Sequence, residues 1–200
     1  MSLQEQFGRI DIYLFDQLWR GDIAPGMRVV DAGCGGGRNL VYLLREGYEV
    51  FGVDANAEAV RSVRAMAREL APGLPAENFQ VAAVERMPFP DAIADVVVCN
   101  SVLHFAEDDA QFDAMVGELW RVLRPGGLLF CRLASTIGME FPRAGSGRKF
   151  WMPDGQEWYL VDEAMLMGLT RRLGGMLVDP LKTTVVQGQR CMTTWVMRKG

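Results

Sequence analysis

The sequence lacks the features that mark several large classes of protein. Its 200 residues contain no run of about 18 consecutive apolar residues, the length that a membrane-spanning helix requires. Residues 1–15 carry early acids and no apolar signal core, which disfavours a secretory leader. We therefore expect a cytoplasmic protein with no membrane segment.

A basic excess, paired cysteines and a second histidine are absent as well. Lys and Arg number 21 against 25 Asp and Glu, a net charge of −4, whereas nucleic-acid-binding proteins usually carry a basic surface. The four cysteines stand far apart without a C-x-x-C pair, so neither a zinc site nor a disulfide framework is indicated. We expect no metal, and a nucleic-acid partner is disfavoured.

The chain does contain short apolar runs that alternate with segments of helical spacing. The spacing of apolar residues over 1–20 predicts one amphipathic helix. Apolar runs predict five strands, at 28–31, 49–53, 79–84, 94–99 and 127–133. Helices are predicted between strands at 38–46, 58–70 and 108–123. Continuous apolar strands that alternate with helices are typical of a parallel sheet with helices on both faces.

The last third of the chain follows a different pattern. Residues 138–159 form a long irregular stretch, and residues 162–173 have helical spacing. Two further strands, at about 180–187 and 190–197, are close enough to form an antiparallel hairpin. The predicted fold class is therefore α/β, with a seven-stranded, mostly parallel sheet and a C-terminal antiparallel hairpin.

A glycine-rich loop follows the first predicted strand. Residues 29–39 read VVDAGCGGGRN, in which Gly33, Gly35 and Gly37 form a G-x-G-x-G pattern. Glycine after a strand permits a positive φ and a close approach of backbone to a ligand, so the loop predicts a cofactor site. A dinucleotide fingerprint has its last glycine where this chain has Arg38, which counts against NAD.

Two acids define the charge of the predicted site. Asp31, just before the glycines, would repel a pyrophosphate but suits the ammonium and sulfonium groups of S-adenosylmethionine (SAM). Asp54 ends the second predicted strand, about 20 residues after the loop, where an acid accepts hydrogen bonds from a ribose diol. NAD and SAM sites share this second feature, so the preference for SAM depends on Asp31 and the glycine pattern.

The chain resembles the class I SAM-dependent methyltransferases in four segments that stand in the family's order. They are VVDAGCGGGRN (29–39), GVDAN (52–56), ERMPFPDAIADVVVCNSVLHF (85–105) and LRPGGLLF (123–130). The loop and the following YLLREGYEV are similar to the small-molecule branch that contains tellurite-resistance-type enzymes (methyltransferase types 11 and 12). The resemblance implies a Rossmann-like fold, SAM as cofactor and S-adenosylhomocysteine (SAH) as product. It also implies in-line transfer of a methyl group to an O, N or S atom of a small-molecule acceptor.

The resemblance further implies roles at the methionine end of the cofactor. The backbone at Gly33, Cys34 and Gly35 would line the methionine, and Asp31 would hold its amino group directly or through water. Asn100 would offer its carbonyl to the same amino group.

At the other end of the cofactor the resemblance is less complete. Asp54 would bind the ribose hydroxyls, Ala55 would lie near the adenine, and Val84 would meet the adenine through its backbone. Many relatives carry an acid at the position of Ala83 that takes the adenine amine. Two alternatives stay open: Glu85 substitutes for that acid, or adenine recognition rests on backbone and shape.

Several residues have both a functional and a structural interpretation. His104 follows the fourth strand, at the mouth of the predicted site, and is the candidate general base or substrate contact, although a lone histidine is more often structural. Arg38 either packs at the start of a helix or lines the ligand pocket. Residues 143–149 (RAGSGRK) would bind an acidic substrate or form a mobile loop, and the aromatic residues of 150–159 would form an acceptor pocket or pack in the core.

Taken as a single methyltransferase domain, residues 1–200 divide into four parts. They are an N-terminal helix or lid (1–24), a SAM-binding core (25–134), an acceptor-side insertion (135–175) and the C-terminal hairpin (176–200). The hairpin presents a sheet edge through which a homodimer would form.

Other functions remain to be weighed against small-molecule methylation. One is a protein that binds SAM without transferring its methyl group. A nicotinamide-dependent oxidoreductase is disfavoured by Asp31 and Arg38, and an RNA methyltransferase by the acidic balance of the chain.

Overall fold

The computed structural model describes residues 2–145 and 147–200, which form six α-helices and ten β-strands. The helices are α1 (Leu3–Phe7), α2 (Ile12–Trp19), α3 (Val41–Arg45), α4 (Ala57–Leu70), α5 (Asp109–Val122) and α6 (Glu163–Arg172). The strands are β1 (Arg28–Ala32), β2 (Glu49–Asp54), β3 (Phe79–Val81), β4 (Ala94–Asn100), β5 (Leu123–Ala134), β6 (Lys149–Trp151), β7 (Glu157–Tyr159), β8 (Gly175–Leu177), β9 (Lys182–Val186) and β10 (Arg190–Lys199). None of these helices is long and apolar enough to cross a membrane.

Eight of the described strands form one sheet, in the order β3-β2-β1-β4-β5-β10-β8, with β9 also paired to β10. All pairs from β3 to β5 are parallel, and β10 is antiparallel to β5. β8 pairs with residues 197–199 of β10 and β9 with residues 190–194, so both strands occupy the same edge. The sheet is therefore seven positions wide, which confirms the predicted α/β fold and its antiparallel C-terminal hairpin.

Helices cover both faces of this sheet. On one face, Phe112 of α5 and Leu166 of α6 join a buried cluster with the strands, and on the other face Leu43 of α3 and Val63 of α4 do so. The central strand β4 is buried along almost its whole length. Burial on both faces is the reason that the parallel strands appear in the sequence as continuous apolar runs.

The strand order reverses at β1, which pairs with β2 on one side and with β4 on the other. Asp31 is in register with Gly52 of β2 and with Val98 of β4. In an open α/β sheet a crevice forms beyond the carboxyl ends of the strands at such a reversal. The predicted cofactor residues follow these strand ends in the sequence.

The N-terminal segment differs from the single helix that was predicted for residues 1–20. The chain breaks at Gly8, which has a φ of 64°, and forms the separate helices α1 and α2. Asp11 caps α2 by accepting a hydrogen bond from the Tyr13 N–H, and its other carboxylate oxygen pairs with Arg132 at 3.1 Å. The break lets Asp11 leave the helical surface and anchor this segment to β5.

Three other local predictions also need correction. The third strand stops at Val81 instead of residue 84, because residues 84–86 form a short 3-10 turn. The stretch 138–159 contains the hairpin of β6 and β7. The three-residue strand β8 was not predicted. Residue 146, which belongs to the predicted segment 143–149, lies outside the described residues.

We predict that Gly37→Ala destabilises the fold through the contact between the glycine loop and α4. Gly37 has a φ of 81°, and a Cβ there would meet the Met66 methyl group and lie 2.9 Å from Cγ2 of Val63. A left-handed residue with a Cβ costs about 1–2 kcal/mol and overpacking about 1–3 kcal/mol. Chemical denaturation should therefore show a free energy of unfolding lower by about 2–4 kcal/mol.

Gly36→Ala is the matched control, because Gly36 has no left-handed φ and nothing lies within 4 Å of an added Cβ. Its unfolding free energy should stay near the wild-type value. An equal loss in both variants would show that contact with α4 is not the cause.

Candidate active site

A cavity of about 660 Å³ opens at the carboxyl ends of β1 and β4. This volume lies within the range of roughly 300–1,000 Å³ that small-molecule sites occupy. Nine of the ten predicted cofactor residues line it, namely Gly33, Cys34, Gly35, Asp54, Ala55, Ala83, Val84, Glu85 and Asn100. Asp31 and His104 do not reach the lining.

The glycine loop forms one wall of the cavity through its backbone. The N–H groups of Gly33 and Cys34 donate to the Val53 carbonyl at 2.8 and 2.9 Å, which ties the loop to β2. A Cβ on Gly33 would collide with Val102, so glycine is needed for the segment after β4 to approach. Nothing lies within 4 Å of a Cβ built on Gly35, where the backbone borders open space. The loop therefore presents bare backbone to a ligand.

Asp54 is fixed at the end of β2 by two backbone hydrogen bonds. Its Oδ2 accepts from the Gly35 N–H and its Oδ1 from the Asn56 N–H, both at 2.8 Å. Asn56, and not Asp54, caps α4 by accepting from the Glu58 N–H at 2.9 Å. Asp54 lines the cavity, and each of its carboxylate oxygens can accept a further hydrogen bond. The arrangement suits a pair of hydroxyl donors.

A guanidinium and a buried amide share the end of the cavity beyond β1 and β4. Arg38 donates from Nη2 to Oδ1 of Asn100 at 2.8 Å, and this oxygen also accepts from the Ser101 hydroxyl. The Nδ2 of Asn100 is buried and has no hydrogen-bond partner among the described residues. Arg38 lines the cavity, which is one of its two predicted alternatives. This end of the cavity therefore offers N–H donors and a positive charge.

The strand β4 ends in a strained turn that the sequence did not reveal. Ser101 has a φ of 65°, which is uncommon for a residue with a side chain, and its N–H donates to the Arg132 carbonyl at 2.7 Å. The turn brings Val102 and Phe105 to the cavity wall. Their signal in the sequence is their place in the NSVLHF segment directly after an apolar strand.

Asp31 lies behind the glycine loop and is almost fully buried. Burial raises the pKa of its carboxyl to about 7, Arg38 acts in the opposite direction, and the charge of Asp54 raises it further. A cation placed beside Asp31 would favour the ionised form.

His104 does not lie at the mouth of the site, and that prediction is wrong. Its side chain is 2% exposed, and its ring stacks on Trp158 with the centroids 4.4 Å apart. Burial lowers the pKa of His104 to about 4, so the ring is neutral near pH 7. It lies behind the neighbouring Phe105, which is 57% exposed and borders the cavity.

The aromatic residues of the insertion do not form one pocket. Trp158 covers His104, and Tyr159 stacks on Phe112 in the core while its hydroxyl donates to Asp109 at 2.8 Å. Trp151 is 45% exposed. Core packing is therefore the outcome for Trp158 and Tyr159.

No group of three or more His, Cys, Asp or Glu side chains in the described part of the chain is placed to hold a metal ion. Cys34 borders the cavity, and burial raises the pKa of its thiol. It is therefore a neutral part of the wall.

The chain is similar to several known proteins. An uncharacterized methyltransferase of Synechocystis sp. is 28% identical over 165 residues, which are 82% of this chain and 70% of that protein. Seven other curated relatives match over only 30–53% of their own length.

Solved structures share the fold over nearly the whole chain. The [4+2]-cyclase SpnF has a TM-score of 0.74 at 18% identity, covering 94% of this chain and 80% of that one. The 1,6-didemethyltoxoflavin-N1-methyltransferase of Burkholderia thailandensis, solved with 1,6-didemethyltoxoflavin and SAH, has a TM-score of 0.71 at 20% identity, covering 99% and 81%.

The decisive match is to a sequence family. The model of the family described as methyltransferase domain matches residues 30–131, just over half of the chain. This range begins in β1, ends in β5 and contains the glycine loop, Asp54 and Asn100. The chain therefore belongs to the class I SAM-dependent methyltransferases.

Proposed function

We propose that the protein transfers the methyl group of SAM to an O, N or S atom of a small molecule. The observation that supports this most directly is the distribution of polar groups along the cavity. Asp54 offers two fixed acceptor oxygens at the end of β2, whereas Arg38 and the free amide of Asn100 offer donors beyond β1 and β4. A ribose diol and a methionine carboxylate need these two kinds of partner in this order.

The residues present fit SAM at each of these positions. Asp54 would hold the ribose hydroxyls, Arg38 and Asn100 would hold the carboxylate, and Asp31 would balance the ammonium through the glycine loop. The open space at Gly35 leaves room for the chain between ribose and carboxylate. When bound, the cofactor supplies an electrophilic methyl group whose leaving group is a neutral thioether, so alignment matters more than acid–base help.

The acceptor would bring its own nucleophile. Among the described residues of the lining, the carboxylates are Asp54, which ends β2, and Glu85, which lies in the turn after β3, whereas Asn100 ends β4. His104 is neutral and buried behind that wall. We therefore propose that the acceptor is an amine, a thiolate or an already ionised oxygen. Holding it in line with the methyl group would supply about 7–11 kcal/mol of the barrier.

A second candidate is a protein that binds SAM without methyl transfer. The observation that favours it is the shared fold of the [4+2]-cyclase SpnF, whose name describes a different reaction. Cofactor binding and turnover therefore need separate measurements.

For cofactor binding we expect calorimetric titration to give micromolar affinity for SAM and SAH and no heat with NAD. Asp54→Ala should weaken both by at least about tenfold, because a hydrogen bond to a charged group contributes about 1.5–3 kcal/mol. Glu69→Ala, at an exposed position of α4, is the control and should bind normally. Heat with NAD, or none with SAH, would contradict the proposal.

For turnover we expect a methyl-labelled SAM to pass its label to small amines, thiols or acids in a screen read by mass spectrometry. Asp54→Ala should lose this signal in step with its loss of SAM affinity. Full binding with no labelled product across all three acceptor classes would favour the non-transferring alternative.

For His104 we expect a structural contribution that depends on pH. The folded pKa of about 4 lies below the ordinary value of 6.5, so only the unfolded chain takes up this proton as pH falls through that interval. Stability should be fully present above pH 6.5 and fall by up to about 3 kcal/mol by pH 4, at 1.36 kcal/mol per unit. The variant His104→Phe keeps a ring against Trp158. Its free energy of unfolding, measured by chemical denaturation over the same pH range, should not show this fall.

His104→Phe also tests the absence of a general base. Its methyl-transfer kcat should stay within about threefold of wild type, since removing a true general base costs roughly 100-fold or more. A loss of that size in a folded variant would restore the histidine as catalytic.

A further inference from the structure

A second cavity, of about 690 Å³, is built mainly from residues 136–162. It shares no described lining residue with the cavity at the carboxyl ends of β1 and β4, the cofactor cavity. Helix α5 begins between the two, since Asp109 borders the second cavity and Gln111 borders the cofactor cavity. The volume of the second cavity is that of a small-molecule site.

The floor of the second cavity is apolar and held in place. Phe141 and Phe150 line it, are 9% and 7% exposed, and belong to one buried cluster. Residues 142–144 run beside β6, where an antiparallel bridge joins Arg143 to Phe150. The backbone of Arg143 is therefore fixed at the edge of this floor.

Arg143 brings to the floor a positive charge that no described side chain neutralises. Its Cζ lies 5.5 Å from the centroid of the Phe150 ring, a cation–π arrangement. Within residues 2–145 and 147–200 its guanidinium forms no ion pair and no hydrogen bond. The neighbouring Arg148, by contrast, donates to Asp162 at 2.8 Å. A guanidinium held over a ring with its N–H groups available suits a carboxylate.

Two acids line the same cavity. Asp109 is oriented by the Tyr159 hydroxyl, which donates to its Oδ1 at 2.8 Å, and its Oδ2 has no hydrogen-bond partner in the described part of the chain. Glu140 adds an exposed carboxylate to the lining. A ligand with only negative charge would be repelled by these acids, and one with only positive charge by Arg143. A zwitterion suits both kinds of group.

We propose that the second cavity binds the zwitterion of an amino acid with an apolar side chain. Arg143 binds the carboxylate of this ligand and Asp109 its ammonium group, while Phe141 and Phe150 pack against its side chain. The inference goes beyond the proposed function, because it needs no SAM and places no reacting group in this cavity.

The test is calorimetric titration of the full chain, without and with saturating SAH, with L-phenylalanine and two truncated probes. Phenylpropionate lacks the ammonium group, and phenethylamine lacks the carboxylate. Wild type should bind phenylalanine at least about tenfold more tightly than either, because each probe loses a charge-assisted hydrogen bond. In Arg143→Gln the affinities for phenylalanine and phenethylamine should differ by less than about threefold. In Asp109→Asn the same should hold for phenylalanine and phenylpropionate.

Arg171→Gln makes the same chemical change as Arg143→Gln at an exposed position of α6 and should keep the wild-type affinities. No phenylalanine binding by wild type, or equal binding by a folded Arg143→Gln variant, overturns the inference.

SAH separates this inference from the proposed function, because its methionine part carries the same charged groups as phenylalanine. Loss of phenylalanine binding on saturation with SAH would place the amino acid in the cofactor cavity, which overturns the inference and leaves the proposed function intact. Phenylalanine binding that depends on Arg143 in a protein that does not bind SAH would support the inference and contradict the proposed function.

Discussion

The pairing of β1 between β2 and β4 is the constraint on which the site depends. Because β1 is hydrogen-bonded on both sides in parallel register, the segments that follow these strands must diverge at one edge of the sheet. The glycine loop, Asp54 and the strained turn at Ser101 are those segments. The cavity is therefore a result of topology, and the side chains decide what it can hold.

Within this crevice the polar groups are held by the backbone rather than by one another. Asp54 is oriented by two N–H groups of adjacent loops, and Gln111 by the Glu107 N–H. Two side-chain pairs are exceptions: Arg38 donates to Asn100 beyond β1 and β4, and Gln111 donates to Glu85. A site organised in this way is in place before a ligand arrives, which lowers the cost of ordering on binding.

The sequence predicted those parts of the molecule that depend on local pattern. Burial on both faces makes β1 and β4 visible as apolar runs, and the glycine loop marks where backbone must come close to other atoms. The break at Gly8 depends on tertiary packing, because a Cβ there would collide with Val41 of α3. Gln111 and Met115 reach the cavity only because α5 folds back beside residues 84–86, and three-residue β8 exists only as a partner of β10. The position of His104 was predicted wrongly because the turn after β4 places the neighbouring Phe105 at the cavity and the histidine ring in the interior.

The burial of Asp31 would couple the binding of a cationic ligand to the protonation of this carboxyl. With a pKa of about 7, this carboxyl is largely protonated in mildly acidic solution. A cation held across the glycine loop from this carboxyl would favour its ionised form, so the affinity for a cationic ligand would fall as the pH drops below 7. The same residue that suits a cationic ligand would thus make the occupancy of the site depend on the acidity of its surroundings.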